Sequence, residues 1–133
     1  MTVIAPPFDR AVAIVLEREG GLSDDPNDPG GLTKYGISKR SYPTLDIANL
    51  NRAEAIEIYR KDYWAKAYCD MQPWPMALAV FDCAVSQGVG AARKMTHGVG
   101  DDVAMFMARR AVRYARSARW PRYGKGWMRR LFR

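Results

Sequence analysis

The sequence predicts a mainly α-helical fold, a bundle of helices with a polar loop or small hairpin after the first one. Three observations predict it. Apolar residues recur at helical spacing in four separate stretches. The one long stretch without that spacing, residues 22–38, is dense in Gly, Pro, Asp and Asn and follows the first helix directly. No internal repeat and no low-complexity linker interrupts these stretches.

The elements follow in order. Residues 8–18 read as the first helix. Pro7 suits its first turn, Val12, Val15 and Leu16 share a face, and Gly20-Gly21 supply the residues a left-handed C-cap prefers. The polar stretch after it is too long for an incidental connector, and long ordered loops commonly carry function. A second helix is expected over 52–67. Asn51 and Glu54 have capping-box spacing, and Ile56, Tyr59, Tyr63 and Trp64 form an apolar stripe. Pro73-Trp74-Pro75 opens a third helix, 76–86, apolar nearly all round and so expected to be buried. Residues 91–97 allow one short helix. Asp101-Asp102 then sit where a helix N-terminus favours carboxylates, ahead of a fourth long helix running to about residue 119. Pro121, Gly124 and Gly126 are expected to break the chain before a short basic end.

Length and composition agree with one folded domain. The 133 residues are 48% apolar and include four Trp, enough for a core. The longest apolar stretch, 76–85, falls short of the roughly 18–20 residues of a membrane span and contains Asp82. The N-terminal residues lack a basic region and a long apolar run, so no secretory signal is expected. Two Cys, Cys69 and Cys83, are too few for a disulfide framework or a zinc site and are expected to be core thiols. The formal net charge of +7 is unevenly placed. Residues 1–100 carry 11 basic and 12 acidic groups, a net of −1. Residues 101–133 carry 10 basic groups against Asp101 and Asp102, a net of +8. Such a segment seeks a polyanion: nucleic acid, anionic lipid or an anionic wall polymer.

Few residues suit catalysis. His97 is the lone histidine and lies beside glycines, a helix C-cap setting. Gly88-Val-Gly-Ala-Ala-Arg93 resembles half a dinucleotide fingerprint, but Arg93 takes the third glycine position and no strand precedes it. Glu19 differs. As the last side chain of the first helix it faces the negative end of the helix dipole, a setting suited to a general acid. The loop then offers Asp24, Asp25, Asp28 and Thr33. A carboxylic acid facing a second carboxylate or a held water is the arrangement for glycosidic bond hydrolysis. The same residues also suit a solvated helix end followed by ordinary turn formers, and the residue types alone leave both readings open.

The run Glu19-Gly-Gly, then Asp25-Pro-Asn-Asp28-Pro-Gly-Gly-Leu-Thr33-Lys-Tyr-Gly-Ile37, resembles the signature of glycoside hydrolase family 108, a family of N-acetylmuramidases. Tyr59-Arg-Lys-Asp-Tyr-Trp64 resembles its aromatic helix, and Phe81-Asp-Cys-Ala-Val-Ser-Gln-Gly88 its Asp-x-Ala-Val-Asn-x-Gly helix, with Ser86 where Asn is common. Arg113-Tyr114 and Gly126-Trp127 resemble its C-terminal helical module, here shortened around residues 98–102.

The resemblance implies an α+β lysozyme-like fold in one domain, 1–133, with 101–133 as a shortened peptidoglycan-binding module. It implies a muramidase cutting the β-1,4 bond between N-acetylmuramic acid and N-acetylglucosamine, without metal or organic cofactor. Glu19 is the implied acid. Asp28 and Thr33 are implied to orient water or stabilise the transition state, with Asp25 the rival second carboxylate. Tyr35, Tyr63, Trp64 and Ser86 are the candidate substrate contacts, although Tyr63 and Trp64, on a helical stripe, suit a core better and Tyr35, in the loop, suits a sugar best. The expected partner is the peptidoglycan glycan strand, bound by a monomer. Residues 103–133 could also touch an anionic membrane or lipopolysaccharide. The expected role is that of a phage endolysin held in the bacterial cytoplasm until a holin releases it; a secretion-associated muramidase fits the same motifs. A lytic transglycosylase and a noncatalytic basic protein binding wall polymer or nucleic acid are the alternatives.

Overall fold

The computed structural model describes residues 5–19, 21–24, 31–117 and 120–131. Among them are six α-helices and one two-stranded antiparallel sheet. No described helix is long and apolar enough to cross a membrane. The chain forms two compact units, residues 1–66 and 67–133.

The first unit opens with α1, Pro7–Glu19. Phe8, Ala11, Val12, Val15 and Leu16 are buried, the i, i+3, i+4, i+7, i+8 stripe of a helix facing a core. Ser23 pairs with Thr33 through two backbone hydrogen bonds of 2.7 Å, which close the polar loop at its base. Strands β1, Thr33–Lys34, and β2, Ile37–Ser38, form the small hairpin anticipated after the first helix, with Thr33 opposite Ser38 and Lys34 opposite Ile37. Its two central residues both have positive φ, Tyr35 at 52° and Gly36 at 79°, as the tightest hairpin turns demand. Ile37 is fully buried and fixes which face of the hairpin turns inward.

Helix α2, Arg52–Tyr59, starts with the predicted capping box. The Glu54 N–H donates to Asn51 Oδ1 at 2.8 Å, and the Asn51 N–H donates to Glu54 Oε1 at 3.1 Å. The expected continuous helix to residue 67 is not formed. Arg60–Trp64 is a π-helical turn, with the Ala65 N–H bonded to the Arg60 carbonyl. The physical reason lies in the spacing of the aromatic stripe. Bonding from i to i+5 sets residues five apart above one another, so Trp64 shares the buried side of Tyr59. Trp64 then meets Phe8 edge to face, ring centroids 5.4 Å apart.

The second unit is built on α3, Met76–Gln87, buried from Met76 to Ala84 except at Leu78, as its apolar circumference predicted. Helix α4, Val89–Met95, and α5, Val103–Ala115, pack beside it. The Asp102 carboxylate caps α5 by accepting from the Met105 N–H at 3.0 Å. Helix α5 ends at Ala115, short of the expected residue 119. The chain then forms α6, Trp120–Leu131, across the residues read as breakers. Proline in a first turn loses no intrahelical bond. The glycines weaken a helix by about 1 kcal/mol each, which packing against α5, with Gly124 and Leu131 buried, offsets.

Both cysteines are free and buried, as expected. Burial pushes the Cys69 thiol up to about 12 and the Cys83 thiol up to about 11. The core of this unit also holds an ion pair. Arg110 Nη2 lies 2.9 Å from Asp82 Oδ2, with both side chains at most 5% exposed.

Candidate active site

Glu19 is the last residue of α1, half-buried, and the hairpin turn folds back against it. A β-carbon on Gly36 would lie 2.9 Å from Glu19 Cγ and 3.1 Å from its Cβ, and closer still to the Tyr59 hydroxyl. Gly36, the Glu19 methylenes and the Tyr59 hydroxyl therefore share a space with no room for one more carbon. The Tyr59 side chain is buried, and its O–H donates to the Tyr35 carbonyl at 2.5 Å. That bond holds Tyr35 in a left-handed conformation, which is uncommon for a bulky residue. Lys34 steadies the adjoining strand by donating its Nζ to the Ala48 carbonyl at 3.0 Å. The carboxyl-bearing arm thus stands against a turn fixed from α2 and from the segment before it.

Thr33 is half-buried beside this turn. Its hydroxyl donates to the Gly31 carbonyl at 3.0 Å, and its backbone makes both bonds to Ser23. Asp24 is exposed just after Ser23. Asp25 and Asp28 lie outside the described residues. Tyr35 is half-buried, with the Lys34 ammonium 5.7 Å from its ring centre. Tyr63 is half-buried and packs on Tyr59 at 5.4 Å. Next to it in the chain is Asp62, which accepts from the Tyr42 O–H at 2.7 Å. Burial pushes both phenols upward, Tyr42 the further because Asp62 also favours its neutral form. Trp64 is buried in the core against Phe8. Ser86 belongs to the second unit. Its hydroxyl donates to the Asp82 carbonyl at 2.8 Å and accepts from Arg110 at 3.0 Å, so this side chain is already engaged by the buried ion pair.

The structure therefore brings Glu19, Thr33 and Tyr35 into one unit around one hairpin. Sequence reasoning missed the two residues that fit Glu19 to that hairpin. Tyr59 read only as part of an apolar stripe, because its hydroxyl's partner is 24 residues away. Gly36 carried a signal in the Tyr-Gly pair between two short strands, but not the proximity to Glu19. Among the described residues, no group of three or more His, Cys, Asp or Glu could hold a metal ion.

An acidic residue ending the first helix, a small hairpin folded onto it and a set of supporting helices define a mainly α, lysozyme-like protein. A solved structure shares this fold: SagA of Brucella abortus superposes with a TM-score of 0.82 at 27% identity, over 93% of this chain and 88% of that one. The model of the family Glycosyl hydrolase 108 matches residues 12–88, and the chain belongs to that family. No curated protein matches the chain in sequence. The matched span contains Glu19, the hairpin, α2 and α3. Family and structural likeness together support a peptidoglycan hydrolase of the muramidase type.

Proposed function

We propose that this chain is an N-acetylmuramidase in which Glu19 protonates the leaving oxygen of the β-1,4 bond between N-acetylmuramic acid and N-acetylglucosamine. The observation that carries the proposal is the seat of Glu19: the last residue of α1, with its methylenes against the hairpin turn that Tyr59 holds. A general acid must keep one geometry toward the bond it cleaves. A carboxyl on a helix end braced by a rigid turn meets that need better than one on a free loop. The second group is drawn from the loop closed by Ser23 and Thr33. We assign that role to Asp28, with Asp25 its rival: with Thr33 it directs a water or stabilises the oxocarbenium-like transition state. Tyr35 offers a ring face to a sugar at the same turn. The biological role proposed is host-wall lysis by an enzyme stored in the bacterial cytoplasm and released through a holin; two unpaired, buried thiols suit a reducing compartment.

The test is digestion of purified peptidoglycan by wild type and Glu19→Gln, with mass spectrometry of the fragments. Wild type should release fragments with reducing N-acetylmuramic acid ends, and the variant none. Anhydro ends would make the enzyme a lytic transglycosylase. Undiminished cutting by the variant would remove Glu19 from the mechanism.

A further inference from the structure

The second unit holds a groove that the glycosidase reading leaves unused. It encloses about 1050 Å³ and is lined by residues from the end of α3, from α4 and from α5. Its α5 wall carries a stripe in which apolar and cationic residues alternate: Met105, Arg109, Val112 and Arg116. Their spacing of four, three and four keeps them on one helix face. Met105 and Val112 are 44% and 47% exposed, among the few large apolar side chains the described surface leaves open. From α4, Lys94 and Met95 face the same space, and Arg113 flanks it from α5. Among the described residues that line it, none is acidic.

The walls are fixed to one another. Arg109 donates through Nη1 to the Met95 and His97 carbonyls, at 2.9 and 2.6 Å, which clamps the end of α4 onto α5. An apolar stripe between cations suits a molecule that is both anionic and apolar. Methionine conforms to flexible partners, and Met95 and Met105 are two of the large apolar side chains that line the groove. An acidic peptide would need partners for its backbone, which an apolar stripe does not supply. A single-stranded nucleic acid would need exposed aromatic faces for stacking, and Tyr114, the aromatic residue among the described lining, is buried; a duplex, held through its phosphates, would leave the exposed Met105 and Val112 without a partner.

We propose that this groove seats an anionic phospholipid, its phosphate on Lys94, Arg113 and Arg116 and the upper acyl chain along Met95, Met105 and Val112. The proposal is independent of the role assigned to Glu19. It predicts selective attachment of the full chain to an anionic bilayer surface, driven jointly by charge and by apolar contact.

The test is co-sedimentation with vesicles of equimolar phosphatidylglycerol and phosphatidylcholine, against pure phosphatidylcholine, with folding of each variant checked by circular dichroism. Four exposed positions allow two separate cuts. Arg113→Gln with Arg116→Gln should weaken binding about thirtyfold. Met105→Gln with Val112→Gln, which leaves the charge untouched, should weaken it about tenfold. Removing two exposed cations from the first unit, Arg52→Gln with Lys61→Gln, should leave binding within twofold of wild type. Four results would overturn the proposal. They are equal binding to neutral vesicles, wild-type binding by the Met105/Val112 variant, equal losses from the two charge-removing pairs, or tighter capture of an acidic wall peptide or duplex DNA than of the anionic vesicles.

Discussion

Replacing Gly36 with Ala tests how the hairpin is fitted to Glu19. Two costs act there, and a second glycine separates them. Gly98 has φ +72° with nothing within 4 Å of an added β-carbon, so Gly98→Ala meets only the backbone cost. A left-handed L-residue costs about 1–2 kcal/mol, and reduced freedom of the unfolded chain returns about 0.4–1 kcal/mol. The net is a loss of about 1 kcal/mol. Gly36, at φ +79°, meets the same cost and a collision with the Tyr59 hydroxyl and the Glu19 methylenes. Tyr59 is 1% exposed and has nowhere to swing, so the turn must lift away and its hydroxyl loses the Tyr35 carbonyl. A buried donor left unpaired costs a further 1–3 kcal/mol or so. Gly36→Ala should therefore lose about 2–4 kcal/mol in total. At about 4 °C per kcal/mol for a chain of this size, its Tm should drop by roughly 8–16 °C, against about 4 °C for Gly98→Ala. Hydrolysis adds a second readout. A displacement of Glu19 by about 1 Å should slow peptidoglycan clearance about a hundredfold, with the assay run well below the variant's Tm, while Gly98→Ala stays within twofold. Equal Tm losses for the two variants, or full activity in Gly36→Ala, would refute the reasoning.

Two further predictions concern the second unit. Arg110→Met should destabilise by about 3–5 kcal/mol, since it takes the paired cation from the buried Asp82 carboxylate; Arg110→Met combined with Asp82→Leu should be less costly than that single change, as denaturant melts would measure. Burial raises both thiols, so Cys69 and Cys83 should resist alkylation near pH 8.5 until the chain unfolds. Because the folded values lie above the ordinary 9.0, the stability linked to these neutral thiols is intact below about pH 9. It is lost as pH rises through 11 to 12, and a Tm flat across that range would contradict the assignment.

Much of the fold was legible because its signals are local. Pro7 opens α1 as its position predicted, and Asn51 and Glu54 cap α2 and Asp102 caps α5 through contacts within four residues. The turn-rich loop after α1 promised a hairpin, and Thr33–Ser38 forms one. The misses arose where tertiary packing overrides local preference. Residues 60–64 have ordinary helix formers, yet Trp64 reaches the core only if the chain widens into a π-turn beneath Phe8. Residues 120–131 contain a proline and two glycines, yet packing against α5 makes them helical.

The candidate site divides along the same line. Glu19 was legible because a carboxyl at a helix end followed by two glycines is a chemical statement in consecutive residues. Its supports were not, because they are relations between distant ones. Tyr59 obeys the helical periodicity of a core residue and is buried as one, so its apolar body accounts for its place in the sequence. Its hydroxyl does something the periodicity cannot express: it bonds the Tyr35 carbonyl and fills the space that only a glycine at position 36 leaves open. The same side chain thus joins the core of the first unit to the turn beside Glu19. A substitution that preserves the core, such as Tyr59→Phe, would keep the stripe intact while removing the bond to the Tyr35 carbonyl, one of the contacts, with buried Ile37, through which that core sets the position of the turn. The site's geometry is in this sense a property of the packed core, carried to Glu19 by the Tyr59 hydroxyl together with the hairpin it holds.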